Sequence, residues 1–142
     1  AAAAVWAQPH PPPQFPEKAV SGGGDARLLG RWGEQQVAED LRRKGWRIVA
    51  LNYRCRMGEI DVIAENRTYL AFVEVKLRKN DSYGRPAEAV TRSKQEKLRA
   101  TAELYLTEHP TIRQPRFDVA EVYAPQGIAT RVPAIVYIEN AF

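Results

Sequence analysis

Apolar and polar residues recur in two rhythms along this chain, one helical and one strand-like. From Asp25 to Gly45 the period is helical, with Gly30, Val37 and Leu41 on one stripe at about 100° per residue. Asp25 is suited to cap the start of this helix. Gly45, following basic Arg42, Arg43 and Lys44, is suited to close it. Glu34 falls on the same stripe, where burying an unpaired carboxylate is costly. Three short β-type runs follow, Trp46–Asn52, Glu59–Glu65 and Tyr69–Leu77, and polar Glu65–Thr68 marks a hairpin turn between the last two. A polar loop, Arg78–Arg85, leads to Pro86, which suits the first turn of a second helix over Ala87–Thr107. Its apolar stripe holds Ala87, Val90, Leu98, Thr101 and Tyr105 and, against the pattern, Lys94. After Pro110 and Pro115, strands are expected over Arg116–Tyr123 and Ala134–Glu139. The order α-β-β-β-α-β-β predicts an α/β fold, a mixed central sheet flanked by α-helices.

Strand periodicity then sorts the charged residues. In Leu70–Lys76 alternate residues share a face, so Glu74 and Lys76 stand side by side while Val73, Val75 and Leu77 form a core-like face. In Glu59–Ile63 the same rule puts Ile60 and Val62 on one face and Glu59 and Asp61 on the other. Hairpin pairing brings Asp61 close to Glu74. Crowded carboxylates raise each other's pKa unless a cation intervenes, and oxygen-rich ligation of this kind suits Mg²⁺ or Mn²⁺. An ammonium at Lys76 could hold or activate an attacking water, or stabilise charge developing on a phosphate. A lone Glu-x-Lys is an ordinary exposed ion pair. Asp61 on the preceding strand and Glu34 on a helix's apolar stripe turn the balance towards a site.

Composition narrows the partners. The 142 residues carry 21 Lys+Arg against 17 Asp+Glu, and one cysteine. Cys55 alone rules out an intramolecular disulfide framework and a Cys-rich zinc site, and it fits a reducing cytosol. No apolar run approaches the roughly 20 residues of a membrane helix, and Ala1–Ala7 is too short, and lacks the basic flank, for a signal peptide. Residues 1–26 hold five of the ten prolines and three of the nine glycines and are expected to form a disordered tail before a domain over residues 27–142. The tail's charges are Glu17, Lys18 and Asp25, so the net +4 becomes +5 on the domain. That excess points to nucleic acid or another polyanion. Arg54 and Arg56 precede the Asp61 strand, Arg78, Lys79 and Arg85 flank the loop after Lys76, and Arg92 and Lys97 follow on the second helix. They could hold phosphates on either side of a scissile bond, and Tyr83 could stack on an unpaired base.

An acid thirteen residues before Glu-x-Lys, in a strand–strand–helix context, resembles the PD-(D/E)XK nuclease superfamily. More closely, Gly33-Glu34, Asn52-Tyr-Arg, Gly58-Glu-Ile-Asp61, Phe72-Val-Glu-Val-Lys76, Pro86-Ala-Glu-Ala-Val90 and Arg116-Phe-Asp-Val119 resemble the bacterial UPF0102 (YraN-like) family, from about Leu29 to Phe142. The resemblance implies a restriction-endonuclease-like core and a cytoplasmic metal-dependent endonuclease. Asp61, Glu74 and the Val75 carbonyl would bind Mg²⁺ or Mn²⁺, and Lys76 would be the catalytic lysine. Glu34 would be the helix acid that related Holliday-junction resolvases place at their metal site, serving a second metal or the outer shell. Glu59, Lys94 and Gln95 are accessory candidates. Ile60 stands where the superfamily's name has proline. DNA ranks ahead of RNA as substrate, branched or single-stranded regions ahead of a fixed sequence, and a homodimer is the arrangement paired cuts would call for. A binding module that keeps the fold without cutting, and a protein-interaction domain, are the rival classes.

Overall fold

The computed structural model describes residues 23–79 and 90–142. Helix α1 spans Gly23–Arg43 and is followed by strands β1 (Arg47–Cys55), β2 (Gly58–Glu65) and β3 (Tyr69–Arg78). Helix α2 (Arg92–Glu108) leads to β4 (Gln114–Tyr123), a single 3₁₀ turn at Gly127–Ala129, and β5 (Ala134–Ile138). The five strands form one sheet in sequence order. All neighbours are antiparallel except β3 and β4, which run parallel because α2 crosses between them. This is the order the hydrophobic pattern predicts. Among the described residues no helix is long and apolar enough to cross a membrane.

The helices cover opposite faces of the sheet. Val37, Ala38 and Leu41 of α1 pack on Val62, Ala64, Val73 and Val122. Leu98, Ala102 and Tyr105 of α2 pack on Ile63, Leu70, Phe72 and Val119. Both faces of β3 are therefore core, which explains its long apolar run. Gly33 lets α1 approach closely, since a Cβ there would stand 3.0 Å from Leu77 Cδ2. The β2–β3 turn is held by Asn66, whose Oδ1 accepts from the amides of Thr68 at 2.9 Å and Tyr69 at 2.7 Å.

Several boundaries differ from those expected, β4 for one beginning at Gln114 rather than Arg116, and three of them bear on the site. Helix α1 begins at Gly23, two residues before Asp25, so Asp25 lies within the helix and the expected tail overlaps it; residues 1–22 lie outside the described residues. Strand β1 runs past Asn52 to Cys55, because its pairing with β2 continues to Cys55↔Gly58. Helix α2 begins at Arg92 rather than Ala87. Thr91 is extended and caps it, its Oγ1 accepting from the Lys94 amide at 3.2 Å. Pro86 and Ala87 lie outside the described residues.

Candidate functional site

The site begins as a fork in the sheet. The β2–β3 register runs from Glu65↔Leu70 to Val62↔Val73 and stops there. Beyond it β2 stays paired with β1 to Gly58, while β3 stays paired with β4 to Arg78↔Tyr123. The Val75 amide would otherwise lack a partner on the β2 side, and Asp61 Oδ2 accepts its hydrogen bond at 2.8 Å. A residue's N–H and C=O point to the same edge of a strand, which turns the Val75 carbonyl towards the fork as well.

The hairpin also rotates at this level. Leu51 and Val62 pair and lie on the α1 side, whereas the next pair, Tyr53 and Ile60, lies on the α2 side. The expectation that Ile60 and Val62 share a face is therefore corrected. Strict alternation fails at the intervening residues because Asn52 adopts a left-handed backbone, φ 54°, and the β2–β3 ladder ends there. The face of β3 that carries Glu74 is covered by α2, and Glu74 is 8% exposed.

Four acidic side chains from three elements meet at the fork. Glu34 comes from α1, Glu59 and Asp61 from β2, and Glu74 from β3. One carboxylate oxygen from each of Glu34, Glu59 and Asp61 lies within 4.8 Å of the others. Asp61 is hydrogen-bonded to Glu74, and its pKa is pushed up to about 9. Burial is the main cause, followed by the Glu74 charge and that carboxyl–carboxyl bond, with the Val75 amide pulling the other way. Glu34 is also raised, first by burial, against which Asn52 and Arg31 act, with Glu59 and Glu74 adding repulsion. Carboxyl groups crowded in this way offer hard oxygen ligands and excess negative charge, the donor set that fits a small divalent cation.

A cleft of about 440 Å³ opens over three of these acids. Glu59, Asp61 and Glu74 line one side, and Thr91 at the cap of α2 with Ser93, Lys94 and Lys97 of α2 line the other. Lys94 Nζ lies 3.3 Å from Glu74 Oε2, so the stray lysine of α2 meets a buried acid. Lys76, half-buried, follows Glu74 on β3 and stands opposite Glu121 in the register with β4. Glu121 is buried and ion-paired with Arg78 at 3.1 Å, which draws Arg78 onto the sheet.

The remaining candidates fall in several places. Arg54 Nε donates to Glu59 at 3.1 Å at the rim of the cleft. Arg56 lies exposed in the β1–β2 turn, Lys79 at the end of β3, and Arg92 at the first position of α2. Gln95 turns away from the acids, its Nε2 donating to the Val90 carbonyl at 2.8 Å. Tyr83 and Arg85 lie outside the described residues. Asp118 serves the fold, gripped by Arg116 at 2.9 Å and by the Asn140 amide at 2.9 Å. The residue that sequence reasoning gave no role is Asn52, whose Nδ2 donates to Glu34 Oε2 at 2.8 Å. Its sequence signals are its place in the Asn52-Tyr-Arg stretch and an asparagine, a poor strand former tolerant of left-handed backbone, at the end of a β-type run.

Fold and site together define an α/β domain with a five-stranded mixed sheet between two helices and a largely half-buried acidic cluster where two strands part. The chain belongs to the uncharacterised protein family UPF0102, a model of which matches residues 33–122. It is 50% identical over 120 residues to a UPF0102 protein of Symbiobacterium thermophilum, covering 82% of this chain and 98% of that one. It is 44% identical over 118 residues to a UPF0102 protein of Alkaliphilus metalliredigens, covering 82% and 99%. A UPF0102 protein of Nocardia farcinica is 47% identical over 120 residues, covering 84% and 92%.

Proposed function

We propose that this domain is a Mg²⁺- or Mn²⁺-dependent phosphodiester hydrolase acting on DNA, an endonuclease selective for branched or single-stranded regions. The observation that carries the proposal is the fork itself, which gathers Glu34, Asp61 and Glu74 in a crowded acidic cluster under the Lys94–Lys97 wall, with Lys76 two positions beyond Glu74 on β3. The resemblance of Asp61 and Glu74-Val-Lys76 to the PD-(D/E)XK pattern supports the same reading.

Asp61, Glu74 and the Val75 carbonyl are the groups to hold the cation, with Glu34 and Glu59 ordering its outer shell or a second ion. A divalent cation there supplies Lewis acidity to the phosphoryl oxygen and lowers the pKa of water. Lys76, two residues beyond Glu74 on the same strand, orients the attacking water and offsets charge on the phosphate. Lys94 and Lys97 seat phosphate from the α2 side, and Arg54 and Arg56 from the hairpin side. Water adds its oxygen to phosphorus as the bond to the 3′-oxygen breaks, leaving a 5′-phosphate and a 3′-hydroxyl.

The test is a cleavage panel of linear, single-stranded, flapped and four-way-junction DNA, plus RNA, each with Mg²⁺ or Mn²⁺. Wild type should cut at least one branched or single-stranded DNA, and Lys76→Ala, purified identically, should lose at least a hundredfold of that rate. Equal cutting by both proteins identifies a contaminant and overturns the assignment. Salt-sensitive binding without metal-dependent cutting identifies a binding module instead.

A further inference from the structure

Asn52 occupies a conformation its neighbours do not. It lies between the rungs Leu51↔Val62 and Tyr53↔Ile60, level with Asp61 on the adjacent strand. Its φ of 54° is left-handed, a region where asparagine is tolerated and glycine is favoured. The resulting turn aims its side chain at Glu34, 18 residues away in sequence and on another element, and Nδ2 donates to Oε2 at 2.8 Å. A residue needed only for the backbone bend would be served better by glycine.

The chemistry of the donor matters. An amide N–H holds a carboxylate oxygen without cancelling its charge, whereas Arg or Lys in that place would neutralise it. Glu34 is thus anchored through one oxygen and keeps its negative charge close to Asp61 and Glu59. We infer that Asn52 is a positioning residue that fixes Glu34 towards the Asp61 carboxylate and thereby sets the divalent-cation affinity of the fork. This rests on the metal-site reading above and goes beyond it by giving the β1 bend a function.

Glycine separates the two roles of Asn52, because it keeps the left-handed backbone and deletes only the amide. The experiment measures melting temperature in EDTA and Mn²⁺ affinity by calorimetry for wild type, Asn52→Gly, Glu34→Gln and the double variant. Asn52→Gly should melt in EDTA at or above the wild-type temperature, yet bind Mn²⁺ 10- to 100-fold more weakly, the usual cost of losing a group that orients a metal ligand. In the Glu34→Gln background the same change should have no further effect on Mn²⁺ affinity, since Asn52 acts through Glu34. Wild-type Mn²⁺ affinity in Asn52→Gly, or losses that simply add in the double variant, overturns the positioning role while leaving the metal site standing. A wild-type protein that binds no Mn²⁺ overturns the metal site and this inference with it.

Discussion

Asp61 is the residue on which the electrostatics of the fork turn. Its folded pKa is raised far above that of an ordinary carboxylate, so the metal-free fold keeps a proton that the unfolded chain releases. By linkage that contribution is fully present below the unfolded carboxylate pKa and is lost as pH rises towards about 9. In EDTA, the melting temperature of wild type should therefore fall between pH 5 and pH 8.5. Asp61→Asn should flatten the fall and melt higher at pH 8.5, by about 3–4 °C for each kcal/mol of repulsion relieved. An equal pH dependence in both proteins would place the strain elsewhere. Glu34 and Lys94 were legible in the sequence as charges on apolar stripes. Their partners, Asn52 and Glu74, were not, because neither pairing follows from local spacing.

At the scale of elements, α2 shows how a helix can be locally unfavourable and still form. Its first turn carries Arg92 and Lys94 and no acidic residue, the opposite of what the helix dipole favours. Leu98, Thr101, Ala102 and Tyr105, all buried, hold it to the sheet, and Thr91 supplies the cap. Thr91→Ala should cost about 1 kcal/mol, read as a lower midpoint in urea unfolding with an unchanged slope. An unaltered midpoint would mean that the Thr91 hydroxyl contributes nothing to the cap. The buried stripe of α2 was legible from periodicity, whereas its start was not: Pro86 and Thr91 are both helix-start signals, and propensity alone does not rank them. The alternation of β2 misled for a different reason. Period-two reasoning assumes an unbroken ladder, and this ladder stops at Val62↔Val73.

The whole molecule sets acids and cations in different environments. The acids of the fork are buried or half-buried between two helical layers, while Arg54, Arg56, Arg92 and Lys97 remain exposed around the cleft. These rim cations present part of the basic excess at the cleft, and the acids act at short range. If the rims hold phosphates, binding of single-stranded or branched DNA should weaken steeply with salt. Replacing Arg56, Arg92 and Lys97 with alanine should make the log K against log salt slope shallower by about 0.7–0.9 for each phosphate no longer neutralised. Fluorescence anisotropy across a salt series in Ca²⁺ reads this directly. A slope unchanged in the triple variant would remove the rims from the interface.

The sequence by itself determined the element order, one apolar face of β3, the family and the residue types of the site. Each follows from local periodicity or from an ordered motif, Gly58-Glu-Ile-Asp61 followed by Phe72-Val-Glu-Val-Lys76. Only the tertiary structure decided that β2 and β3 part at Asp61, that Asn52 bends left-handed to hold Glu34, and that Lys94 reaches Glu74. Those are outcomes of ladder termination and of packing between elements far apart in the chain. They depend on where strands and helices meet, which periodicity within a single element does not encode.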